Sequence, residues 1–173
     1  MDVTTSGERF EAWSPARADA IVAAHAGREG PLLPILLDVQ AAFGCVPPEA
    51  VRLIAERLNL TRAEVHGVVT FYHDLRQEPP GARTLKLCRA EACQSRGGEA
   101  VARTLLASLG LPAGDGWGEP WGGTTADSAL TVEGVYCLGL CAVAPAALID
   151  GEPCGRLTLE TLERAVAPGR LRS

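Results

Sequence analysis

Through the first half of the chain, apolar residues recur every three to four positions. In "PLLPILLDVQAAFG", Leu32, Ile35, Leu36, Val39 and Phe43 fall on one helical face, and Gly44 supplies the stop. "PPEAVRLIAERLN" repeats the period with Val51, Ile54, Ala55 and Leu58. Upstream, Ser14 reads as an N-cap with Pro15 at the first helical position. Downstream, Thr61 and Glu64 stand at capping-box spacing, and Val65, Val68, Val69 and Tyr72 share the face that follows. The pattern predicts four short helices between residues 14 and 80, and so a small helical bundle as a first domain, residues 1–80.

The Pro-Pro-Gly run in "QEPPGAR" cannot continue a helix and marks a boundary. From Arg83 the period drops to two. Leu85 and Leu87 alternate with Thr84 and Lys86, which predicts a strand. Ala102, Leu105, Leu106 and Leu109 then form a helical stripe that Gly110 ends. "ALTVEGVYC" and "AALIDG" read as two further strands, and "TLETLERAV" as a closing helix capped by Thr158. The order β–α–β–β–α predicts a small α/β sandwich in a second domain, residues 81–173, and an α+β chain as a whole. Residues 112–128, "PAGDGWGEPWGGTTADS", interrupt it. This Gly-rich stretch reads as an exposed insertion or, through its two tryptophans, a partner-contact loop. No strand feeds it and no Lys-Ser/Thr follows, so it is not a phosphate loop.

Charge narrows the choice of partner. The chain of 173 residues carries a net charge of −5 and no Lys/Arg cluster, which argues against nucleic acid and anionic membrane surfaces. Its N-terminus has neither a basic n-region nor an apolar h-region. The longest uncharged run, Gly134 to Ile149, contains Pro145 and falls short of the roughly 18 residues a membrane span needs. The expectation is a soluble cytoplasmic protein without membrane insertion. There, clustered cysteines read as metal-binding or catalytic before disulfide.

The cysteines are what the pattern leaves unexplained. Cys88 ends the first strand, with Cys93 just beyond it, before the helix. Cys137 ends the "VEGVY" strand, and Cys141 sits in the loop that follows. The spacing is C-x4-C, 43 residues, then C-x3-C. If the two strands are neighbours running the same way, both pairs emerge at one edge of the sheet. Four thiolates suit zinc or a [2Fe–2S] cluster. Small residues around the pairs (Ala90, Ala92, Gly97, Gly98, Gly139, Ala142, Ala144) favour iron–sulfur, because backbone N–H groups can then approach the sulfides. A redox dithiol would want C-x-x-C, which neither pair has. Cys45 and Cys154 read as structural. His25, His66 and His73 read as partly buried or surface residues of the helical half, the last two on one helical face.

Three segments, "TRAEVHGVVTFYHDL", "CRAEACQSRGG" and "YCLGLCAVAPAALIDGEPCGRLT", together resemble the thioredoxin-like [2Fe–2S] subunit family of NADH dehydrogenases, over residues 20–167 and in the family's order. The resemblance implies a helical N-terminal part, a thioredoxin-like ferredoxin domain, and one [2Fe–2S] cluster on Cys88, Cys93, Cys137 and Cys141. It also implies docking beside a flavin subunit that binds NADH and FMN. Related subunits serve NADH:quinone oxidoreductases, NAD-reducing hydrogenases and NAD-dependent formate dehydrogenases. "CRAEACQSRG" is most similar to the gamma subunit of soluble, molybdenum-dependent formate dehydrogenases, which implies a further iron–sulfur or molybdopterin subunit as partner. The chain departs from the family in its Gly/Trp insertion, and in Cys45 and Cys154 where many relatives carry an aromatic residue. It has no G-x-G-x-x-G after a strand, so one-electron transfer without catalysis of its own is the expected work. The rival of a different class is a zinc-stabilised interaction module.

Overall fold

The computed structural model describes residues 9–114 and 119–166. They form two compact units that divide between Pro80 and Gly81. The first holds α1 (Pro15–Ala24), α2 (Leu32–Phe43), α3 (Pro48–Leu58) and α4 (Arg62–Phe71). Its helix ends follow the local chemistry. Ser14 Oγ accepts from the Arg17 N–H at 3.3 Å. Thr61 and Glu64 complete their capping box, N–H to side chain in both directions at 2.8 and 3.2 Å. The N–H and hydroxyl of Thr61 hold the Glu64 carboxyl below its ordinary value. Gly44 ends α2 in the left-handed region at φ 79°, and a Cβ there would stand 2.6 Å from the Phe10 ring. Ile35, Leu36, Val39, Ala50, Ile54 and Val65 are completely buried at the centre.

One expectation about α4 fails. The helix stops at Phe71; Tyr72 is extended and 43% exposed, so it leaves the face of Val65 and Val69. His73 also lies beyond the helix, and it shares no helical face with His66.

The second unit holds β1 (Arg83–Cys88), α5 (Glu91–Ser95), α6 (Gly98–Ser108), β2 (Gly123–Thr124), β3 (Leu130–Val135), β4 (Ala146–Ile149), β5 (Glu152–Gly155) and α7 (Leu159–Val166). The sheet order is β2-β3-β1-β4-β5. β1 and β3 are parallel neighbours, paired from Arg83↔Leu130 to Cys88↔Val135, and every other pairing is antiparallel. Leu85, Leu105, Leu106, Ala147 and Leu162 form the core, each 1% exposed or less. Together the units give the expected α+β chain.

Two strands escape the sequence pattern. β5 reads "EPCG", which has no alternation and contains a proline that only an edge strand tolerates. It is joined to β4 by Asp150 and Gly151, both at positive φ, the two-residue turn that Asp-Gly favours. Cys154 therefore lies in a strand, opposite Ala147. β2 is a two-residue edge within the Gly/Trp insertion, paired to β3. Among the described residues, no helix is long and apolar enough to cross a membrane.

Candidate metal centre

The parallel pairing of β1 and β3 builds the site. Both strands end at the same edge, Cys88 opposite Val135, and the Arg89 N–H adds one more rung to the Val135 carbonyl at 2.7 Å. All six cysteines are free thiols. The four expected ligands converge at this edge as two pairs. Cys88 and Cys93 share a hydrogen bond and are buried, at 8% and 2% exposure. Cys137 and Cys141 share a second and are exposed. The pairs are close enough that charge on Cys141 is felt at Cys93, and charge on Cys88 at Cys141.

Backbone geometry then turns N–H groups onto sulfur. Cys137 does not end a strand as expected: β3 stops at Val135, and Cys137 adopts φ 64°. A left-handed non-glycine residue costs roughly 1–2 kcal/mol. In return, the N–H groups of Cys137 and Leu138 both donate to Cys88 Sγ, as does that of Ala90. Burial alone would raise the Cys88 thiol. The donors outweigh it and hold Cys88 below the ordinary cysteine range. Cys93 precedes α6, as expected, and lies within a short helix, α5, that the sequence pattern did not predict. Burial, then the Cys88 thiol, pushes it up, against one N–H from Ala146. Cys141 opens a single 3₁₀ turn, Cys141–Val143. Its neighbour Cys137 raises it, by hydrogen bond and by charge.

The inner wall is made of small residues. Ala144 and Ala146 are buried with Cys88 and Cys93, and Ala90, Leu138 and Leu140 pack against them. Gly98 belongs to the same wall, since a Cβ there would stand 2.7 Å from the Cys93 carbonyl oxygen. Ala90 and Gly98 were among the small residues the sequence singled out; the donors Leu138 and Ala146 are site features that sequence reasoning missed. Only the abundance of Ala and Gly near the cysteines hinted at them.

This donor set fits two irons. Each iron of a [2Fe–2S] cluster takes two thiolates, whereas a Cys₄ zinc site gathers four on one ion. The layout of two separate pairs, with N–H groups aimed at the buried sulfurs, matches the binuclear need. The remaining candidates stand elsewhere. Cys45 is buried in the helical unit, its thiol pushed up by burial and then by Glu78. Cys154 packs against the sheet core. His25, 7% exposed, meets Asp38 at 2.7 Å and Arg28 at 3.1 Å. His66 and His73 are exposed.

Residues 18–169 match the family of thioredoxin-like [2Fe–2S] ferredoxins. The chain is 27% identical over 140 residues to the HndA component of the NADP-reducing hydrogenase of Solidesulfovibrio fructosivorans, covering 81% of this chain and 77% of that one. It is 35% identical over 117 residues to a component of the NADH-quinone oxidoreductase of Pseudomonas aeruginosa, covering 68% and 66%. A crystal structure of an air-oxidized NAD⁺-reducing [NiFe]-hydrogenase superposes with a TM-score of 0.60 at 26% identity. That match covers 79% of this chain but only 22% of the hydrogenase chain.

Proposed function

Because the chain belongs to the thioredoxin-like [2Fe–2S] ferredoxin family, we propose that it is the electron-transfer subunit of an NAD-linked oxidoreductase complex, with Cys88, Cys93, Cys137 and Cys141 holding its cluster. The convergence of two thiol pairs at the shared end of β1 and β3 carries this reading. When bound, a [2Fe–2S] cluster supplies one-electron redox chemistry. The chain's own residues do the rest. Ala144 and Ala146 exclude water from the inner side, and the N–H groups of Ala90, Cys137, Leu138 and Ala146 favour negative charge on sulfur. The exposed pair, with Tyr136 beside it at 73% exposure, forms the side open to a partner.

In this reading residues 81–173 are the cluster domain, residues 1–80 a helical domain, and the location is cytoplasmic. The partner is a subunit that binds NADH and FMN. A flavin takes electrons in pairs, and a neighbouring one-electron centre separates them. The parent complex we propose is an NAD-dependent formate dehydrogenase with a molybdopterin subunit, on the strength of "CRAEACQSRG". The equivalent place in an NADH:quinone oxidoreductase or NAD-reducing hydrogenase is the second reading, favoured by the names of the similar proteins.

Iron and acid-labile sulfide analysis of anaerobically purified protein, with EPR after dithionite, tests the cluster. Two irons, two sulfides and an EPR signal on reduction are expected. One zinc without sulfide would make the chain a structural adaptor. Mass spectrometry of co-purifying subunits tests the parent complex, and a [NiFe] or quinone-reducing subunit in place of a molybdopterin one would replace the formate reading.

A further inference from the structure

A closed ring of contacts ties the Gly/Trp insertion to the turn that carries Cys88. The Arg89 guanidinium lies 4.4 Å from the Trp121 ring centroid. Trp121 pairs with Ala113 across the base of the insertion. The Ala113 carbonyl accepts from Arg103 Nη1 at 3.3 Å. Arg103 Nη2 stands 3.1 Å from Glu99 Oε1, an ion contact without hydrogen-bond alignment. Arg89 Nε closes the ring by donating to Glu99 Oε2 at 3.4 Å.

Arg89 is held at its backbone as well as through Nε. Its N–H bonds the Val135 carbonyl, and its own carbonyl accepts from Gln94 Nε2, both at 2.7 Å. Its side chain, 19% exposed, crosses β3 at Gly134. A Cβ at Gly134 would stand 2.9 Å from Arg89 Cδ and 3.2 Å from the Trp121 ring, so glycine is the residue that admits the stack. Arg89 also separates Cys88 from Ala90, whose N–H bonds the Cys88 sulfur. Two guanidiniums face one carboxylate, which leaves the ring a net positive charge, carried in part by the residue that follows the first cysteine in sequence. Partial burial protects that charge from screening.

We propose that Arg89 is a positioning residue for the cluster: the insertion, through Trp121, locks the Cys88–Cys93 turn, and the charge of the ring raises the reduction potential. A fixed cation stabilises the more negative, reduced form. The inference rests on the reading of Cys88 as a ligand.

A redox titration of the cluster-loaded full chain, followed by EPR, tests it. Glu99→Gln removes the counter-charge and raises the midpoint potential; Arg89→Met removes a cation and lowers it. Each shift is about threefold in the reduction equilibrium, or about 30 mV at roughly 59 mV per tenfold. Arg89→Lys keeps the charge and recovers most of the potential. Trp121→Ala frees the guanidinium and broadens the EPR spectrum, whereas Trp121→Phe keeps a ring face and a narrow spectrum. Glu99→Gln is nearly isosteric and decides the matter should Arg89→Met fail to load. Unchanged potentials in these two variants, or shifts of the same sign, overturn the proposal, and an unchanged spectrum in Trp121→Ala overturns the part given to the insertion. Cys88→Ser, run alongside, separates two failures. Full cluster content there overturns the ligand reading, whereas lost content with unmoved potentials in the ring variants overturns only the ring's role.

Discussion

In the helical unit, Ile35, Leu36, Val39, Ile54 and Val65 are completely buried against one another. At the cysteine edge the buried residues are Cys88, Cys93, Ala144 and Ala146, none longer than a thiol. Fully burying a large aliphatic side chain contributes about 1.5–3 kcal/mol. Alanine has far less to contribute, so packing alone holds the edge weakly. Its organisation comes from N–H groups turned onto sulfur and from the strands behind it, with Leu85 and Leu105 in their own core. The lesson is a division of labour. The apolar cores supply stability, and the edge trades packing for close backbone approach to the sulfurs.

The sharpest way to break this comparison is to remove a thiol. Cys93→Ser and Cys137→Ser are expected to lose the cluster, read as iron, sulfide and visible absorption, while Cys154→Ser retains it. Retention in the first two with loss in the third would reverse the assignment. Next comes the opposite insult. Ile54→Ala should cost about 2–5 kcal/mol in chemical denaturation, yet leave the EPR spectrum unchanged. A changed spectrum would mean that the cores and the edge are not independent. Smaller still is Gly98→Ala, whose Cβ meets the Cys93 carbonyl at 2.7 Å. We expect about 1–3 kcal/mol of destabilisation and, unlike Ile54→Ala, an altered EPR spectrum.

The smallest effect concerns pH. Glu64 and Asp127 are both held below their ordinary values, Glu64 by the Thr61 N–H and hydroxyl, Asp127 by the Thr125 hydroxyl and the Ala129 N–H. A depressed carboxyl stabilises fully above its unfolded value and loses that contribution as pH falls through its folded one. The melting temperature should therefore drop on acidification below the ordinary carboxylate range. Glu64→Gln should flatten that dependence slightly, and an equally steep profile would remove Glu64 as a contributor.

Much of the helical unit was readable because its signals are local. The capping box at Thr61 and Glu64, the glycine stop at Gly44 and the stripe through Ile35, Leu36 and Val39 each depend on residues within two turns. The pattern runs one residue too far at Tyr72, because apolar spacing does not say where a helix ends. In the sheet unit, β1 and β3 were visible as apolar strands. β5 was hidden by its proline and glycine, although Asp150-Gly151 is a strong hairpin signal that could have found it. The spacing of the four cysteines announced two pairs. It did not announce that Cys137 turns left-handed and thereby aims two N–H groups at Cys88.

By itself the sequence determined the type of most elements, the family and the four thiols in two pairs, because each is written in neighbours or in fixed spacing. Only the tertiary structure decided that β1 and β3 lie side by side and parallel. It also decided that one thiol pair is buried while the other faces outward, and that Trp121 reaches Arg89. The physical reason is distance along the chain. Strand pairing and side-chain contacts between segments far apart in sequence are settled by burial of the whole sheet, and no local period encodes that.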